Sequence, residues 1–111
     1  MSLLGASTGA ADALQAAARE PRTVVAVVSR GGQLDLAMDY LSRVHAPTLL
    51  IVGGEDKSVI PLNEAAYEQL NCPKELVVIP GATHLFEEPG ALDKVSQLAR
   101  DWFFKHFLPQ A

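Results

Sequence analysis

The chain predicts an α/β layered fold: a parallel sheet of about three to four strands flanked by helices. Three short, β-branched, uninterrupted apolar runs occupy 23–28, 48–52 and 76–79. Runs without polar alternation read as strands buried on both faces. Around them lie four segments of helical spacing, at 10–19, 35–44, 61–70 and 91–107. The order helix, strand, helix, strand, helix, strand, helix implies one sheet with right-handed crossovers.

Taken in order, Ser2, Leu3 and Leu4 read as the end of a strand whose beginning is missing. Such an edge needs cover from another chain or from further sequence. Segment 10–19 is rich in alanine and stops before Pro21. Segment 35–44 carries Leu36, Tyr40, Leu41 and Val44 on roughly one face, with Asp35 suited to start it. Pro61 fits the first turn of the next helix. The last segment sets Leu92, Val95, Leu98, Ala99, Trp102 and Phe103 along one stripe. Trp102, Phe103, Phe104 and Phe107 are expected to pack that helix on the sheet. With 111 residues the chain makes one domain, 1–111, and not two.

Composition excludes several functions. Nine basic and 13 acidic side chains give a charge of −4, and no basic stripe offers an electrostatic footprint for nucleic acid. The apolar runs are strand-length, far short of a membrane span, so no membrane partner is expected. No basic region followed by a long apolar stretch marks a secretory signal. Cys72 is the only cysteine. It makes no internal disulfide and no metal cluster, and it fits a reducing cytoplasm.

Three stretches carry chemistry. Gly5-Ala6-Ser7-Thr8-Gly9 matches G-x-S-x-G between a short apolar stretch and a helix, the setting of a nucleophile elbow. Glycines before and after the serine let a tight turn pass neighbouring backbone. The Thr8 backbone N–H, at the helix N-terminus, then faces a developing oxyanion. The bland alternative is an ordinary glycine connector, since short motifs arise by chance. Asp56, in Gly53-Gly54-Glu55-Asp56, follows the second apolar run, on the face where α/β sheets bind ligands. It suits the orienter of a histidine; the alternative is a solvated acidic turn. His84, in Gly81-Ala82-Thr83-His84-Leu85-Phe86, follows the third run. A surface histidine is the commoner fate of such a residue.

Together the three fall at the same edge of one parallel sheet, in the chain order Ser, Asp, His. With these motifs the chain resembles the α/β-hydrolase superfamily, most closely its dienelactone-hydrolase-like branch. The resemblance spans residues 5–86, and the final amphipathic helix also fits it. It implies the C-terminal half of an α/β-hydrolase fold, from the elbow onward. It also implies Ser7 as nucleophile, His84 as base and Asp56 as orienter, acting on an ester, lactone or related carbonyl. No metal or organic cofactor is implied. A complete member has several strands before the elbow and takes a second oxyanion donor from an earlier loop. That part is absent here, so a weakly active or inert piece is also expected.

Lesser candidates surround these. Ser29 and Arg30 end the first apolar run and are candidate substrate-binding residues, Arg30 for a carboxylate. A plain solvated arginine is the alternative. Glu55 is a less fitting acid than Asp56. His45 reads as loop, His106 as helix surface and Cys72 as part of a connector without a local base. Two other functional readings remain. One is a non-catalytic α/β module that self-associates, or binds a partner, through the open edge at 2–4. The other is a phosphate site at the glycine turn, against which the missing P-loop lysine counts.

Overall fold

A computed structural model describes residues 2–6 and 8–107 of the chain. It forms four strands, β1 (Ser2–Ala6), β2 (Ala26–Arg30), β3 (Thr48–Gly53) and β4 (Lys74–Ile79). Three α-helices separate or follow them: α1 (Thr8–Arg19), α2 (Ile60–Gln69) and α3 (Ala91–Phe107). All strands are parallel and stand in the order β1-β2-β3-β4. The register pairs Ala6 with Arg30, Arg30 with Ile51 and Gly53 with Ile79. Every strand therefore ends at one edge of the sheet.

The continuous apolar runs are explained by two cores, one on each face. Val27 and Leu50 point into a cluster with Ala10, Leu14, Leu41, Ala66 and Leu70. Their strand neighbours Ala26, Val28, Leu49 and Ile51 point the other way, against Val95, Ala99 and Trp102 of α3. This is the period-two geometry of a strand with both faces covered. Trp102 is pinned by its indole N–H, which donates to the Pro47 carbonyl at 3.2 Å.

Four expectations are corrected. Residues 35–44 do not form one helix; they make two 3₁₀ turns, Leu34–Ala37 and Leu41–Arg43. No side chain caps either turn, and Asp35 is exposed. The buried residues Leu34, Ala37, Leu41 and Val44 recur at threes and fours, a spacing that tight turns satisfy. The apolar run at 23–28 enters the ladder only at Ala26. Strand β4 is not buried on both faces: Val78 is 44% exposed. It lies at a sheet edge, and α3 packs over β2 and β3. On α3 the buried stripe is Ala91, Val95, Ala99 and Trp102, flanked by Leu98 and Phe103, while Leu92 and Phe104 face solvent. No helix among the described residues is long and apolar enough to cross a membrane.

Candidate active site

The turn after β3 folds back on the turn after β4. Gly54 N–H donates to the Ile79 carbonyl at 2.8 Å, and Glu55 N–H to the Ala82 carbonyl at 2.9 Å. Gly53 is required there, because a Cβ would run into the Ala82 carbonyl oxygen. Asp56 N–H then donates to Gly53 O at 3.0 Å, and the Asp56 carbonyl accepts from Val59 and Ile60 as α2 begins. These bonds turn the Asp56 carboxylate inward while Glu55 stays exposed.

His84 meets it. His84 Nδ1 lies 2.6 Å from Asp56 Oδ2, with the aspartate side chain 8% and the histidine side chain 33% exposed. An ionised carboxylate only accepts hydrogen bonds, so Nδ1 carries the proton and donates. Nε2 of that tautomer is the acceptor nitrogen of the ring. Gly31, at φ 58°, lies against the other side of the imidazole; a Cβ there would sit 3.3 Å from Nδ1 and Cε1. Asn63 of α2, fully buried, holds the adjoining turn by donating from Nδ2 to Gly32 O at 3.1 Å.

The His84 segment is fastened at both ends. Ala82 and Phe86 are buried, and Phe86 adopts φ 55°. Thr83 N–H donates to Glu88 Oε1 at 2.8 Å and Thr83 Oγ1 to Oε2 at 2.7 Å. Both bonds favour the ionised carboxylate and hold the Glu88 pKa below its usual 4.5.

Ser7 lies outside the described residues. Around it, β1 ends at Ala6 and α1 begins at Thr8, so the helix N-terminus opens at the edge that carries His84. Gly5 is tightly packed: a Cβ would fall 2.6 Å from the Ala10 Cα and the Gly9 carbonyl. At Gly9 a Cβ would meet nothing within 4 Å, so the described residues do not require that glycine. Of the lesser candidates, Arg30 is half-buried with Cζ 5.9 Å above the Phe86 ring. Ser29 is fully buried beneath Gly32, and its hydroxyl has no hydrogen-bond partner among the described residues. His45 is exposed. His106 is half-buried and tilted against Trp102 at 4.2 Å. The Cys72 thiol is pushed up in pKa by burial, against nucleophilic use. The sequence reading gives no role to Gly31, Asn63, Thr83 or Glu88. Only the last two are close enough in sequence to have given a local signal.

No family model matches the chain. It is similar to a dienelactone hydrolase from Anabaena variabilis ATCC 29413, at 61% identity and a TM-score of 0.93, over 95% of this chain and 49% of that one. The chain has an α/β fold that matches a fragment of α/β-hydrolase structures. An esterase domain from a Rhodothermus marinus protein shares this α/β-hydrolase fold with a TM-score of 0.83 at 18% identity, over 95% of this chain and 61% of that one. Two Mycobacterium tuberculosis proteins, from strains CDC 1551 / Oshkosh and H37Rv, are each named "Putative phosphoribosyl transferase". Each is 59% identical over 102 residues, which are 92% of this chain and 23% of the relative. The chain thus spans about half of that dienelactone hydrolase and about a quarter of these curated relatives.

Proposed function

We propose that the chain carries the Ser7, His84 and Asp56 relay of a serine hydrolase for ester, lactone or related carbonyl bonds. The observation that carries this reading is the 2.6 Å bond from His84 Nδ1 to the buried Asp56 carboxylate, with the imidazole one-third exposed. It belongs to the sheet edge at which β1 ends, one residue before Ser7.

His84 Nε2 takes the Ser7 hydroxyl proton as Oγ attacks the carbonyl carbon. The C=O electron pair moves onto oxygen, facing the Thr8 N–H at the start of α1. On collapse Nε2–H returns the proton to the leaving alkoxide oxygen, and the acyl group stays on Ser7. Water then attacks, giving its proton to Nε2, and Ser7 leaves with that proton as the acid is released. Asp56 keeps the Nδ1–H tautomer and stabilises the imidazolium. Ser29 and Arg30 line the same edge, with Arg30 available to a substrate carboxylate.

In this reading 1–111 is a single, partial α/β-hydrolase domain lacking N-terminal strands, and the second oxyanion donor comes from that missing part. Removing one such donor costs about 10²–10³ in turnover. A cytoplasmic setting fits the lone thiol. The transferase name belongs to relatives of which this chain is about a quarter, and the segment shared with them is the hydrolase-like one. That favours placing transferase chemistry in their remainder. A second reading has its own observation: Leu4 is 61% exposed on edge strand β1. In it the chain is a non-catalytic module that pairs through β1 with another copy or another segment.

The test is covalent labelling by a fluorophosphonate probe. The unmodified chain is expected to label, and Ser7→Ala and His84→Ala are expected to lose the label. Labelling that survives Ser7→Ala rules out the relay, and a chain that stays unlabelled favours the non-catalytic module.

A further inference from the structure

The residue just before His84 is held twice by one carboxylate. Glu88 accepts both the backbone N–H and the hydroxyl of Thr83, at 2.8 and 2.7 Å. This closes residues 83–88 into a ring with His84 inside it. A turn within the ring, Phe86 N–H to Thr83 O at 3.1 Å, narrows it further. The ring is anchored where it meets the core. Phe86 is fully buried with φ 55°, a conformation that a non-glycine residue keeps only when the surroundings impose it. Ala82 is buried and receives Glu55 N–H. Between these anchors the backbone of Thr83 sets the direction in which His84 leaves the loop.

We propose that Glu88 is a positioning residue: its carboxylate fixes Thr83 and so aims the His84 imidazole at Asp56. The catalytic sense of this rests on His84 being the base, but the aiming itself does not. A carboxylate accepting two hydrogen bonds from one residue is charge-assisted and directional, unlike a lone exposed ion pair, which contributes little. Glu88 acts through Thr83, to which both of its carboxylate oxygens are bonded. The lowered pKa of Glu88 agrees with a clamp that is closed at neutral pH.

The readout is the His84 tautomer, from two-bond ¹H–¹⁵N correlation spectra at neutral pH, with the His84 signals assigned by His84→Gln. The unmodified chain should show the Nδ1–H form in large excess. Glu88→Ala should raise the Nε2–H form several-fold and lower the heteronuclear NOE of 83–88. Glu88→Gln should restore the excess, because its amide oxygen accepts the Thr83 N–H and its amide N–H can donate to the hydroxyl. Thr83→Val, which removes one bond of two, should fall between. An unchanged tautomer ratio in folded Glu88→Ala overturns the proposal. If Glu88→Ala does not fold, an unchanged ratio in Thr83→Val overturns it. Fluorophosphonate labelling separates this from the hydrolase reading. An unlabelled wild-type chain whose tautomer still responds to Glu88→Ala keeps the positioning role and counts against the hydrolase reading of this chain. A labelled chain whose rate and tautomer ignore Glu88→Ala does the reverse.

Discussion

The turn after β3 and the turn before α1 stand at one edge of one sheet, yet they are supported differently. The first is laid against the turn after β4 by two backbone hydrogen bonds and by a glycine with no room for a side chain. Its aspartate is buried, and the histidine it meets is backed by Gly31. The second follows β1, which pairs with β2 alone, exposes Leu4, and adjoins a helix whose Gly9 flank is open. The Asp56–His84 pair is therefore set by contacts internal to this chain. Among the described residues β1 leans on a single neighbouring strand, so its edge is the part most dependent on what else packs there.

The largest effect is expected on the acid–base side. Phe86 is fully buried beneath the His84 loop, in the cluster that joins α3 to the sheet. Phe86→Ala should destabilise the chain by about 3–5 kcal/mol, the usual range for emptying such a site. Urea unfolding measures it. A loss below about 1 kcal/mol would mean the loop is not anchored by this ring, and the contrast between the two turns would weaken.

A smaller pair of effects probes the other side. Gly5→Ala drives a Cβ into the Ala10 and Gly9 backbone and should cost about 1–3 kcal/mol, as overpacking does. Gly9→Ala meets open space within α1, and replacing a helical glycine should stabilise by up to about 1 kcal/mol. Thermal unfolding of the two variants side by side gives the answer. If Gly9→Ala is as damaging as Gly5→Ala, the α1 flank is covered, and the β1–α1 edge does not depend on β2 alone.

Much of this contrast was legible in the residues, and the reasons it was not complete are physical. The apolar runs reveal strands because both faces of β2 and β3 are buried, a property of those residues themselves. That β4 is half-exposed is not a property of its own residues: Val77 and Val78 read like Val27 and Val28, and only strand order makes β4 an edge. Segment 35–44 has helical spacing, but 3₁₀ turns satisfy the same burial of Leu34, Ala37, Leu41 and Val44. On α3, Leu92 lost its expected place to Ala91 because the stripe runs back from Val95 by four residues and not by three. Asp56 and His84 could be singled out as residues that follow strands, but their 2.6 Å approach depends on loops from two strands. Gly31 at the imidazole is invisible for the same reason, since its partner is distant in sequence. The elbow motif indicated two required glycines, and the packing requires one, because the flank of Gly9 faces no described residue.

The smallest effect, and the sharpest discriminator, is in acid. Glu88 is ionised and doubly hydrogen-bonded in the folded chain, so its pKa lies below the usual 4.5. A depressed folded-state value means the unfolded chain binds the proton more readily. The clamp's contribution is then fully present above about pH 4.5 and is lost as the pH falls through the lower, folded-state value. The Thr83 amide proton reports this directly, because it donates to Glu88 Oε1. Its chemical shift should inflect below pH 4.5 and show no such inflection in Glu88→Gln. Amides of β1 and the first turn of α1 should not follow the same curve, since the Glu88 carboxylate is bonded to Thr83 in the loop after β4. An inflection at or above 4.5 would mean that the carboxylate is not held by Thr83. A shared inflection in β1 would mean that the two turns move together, and that the acid–base pair is not set apart from the strand edge beside it.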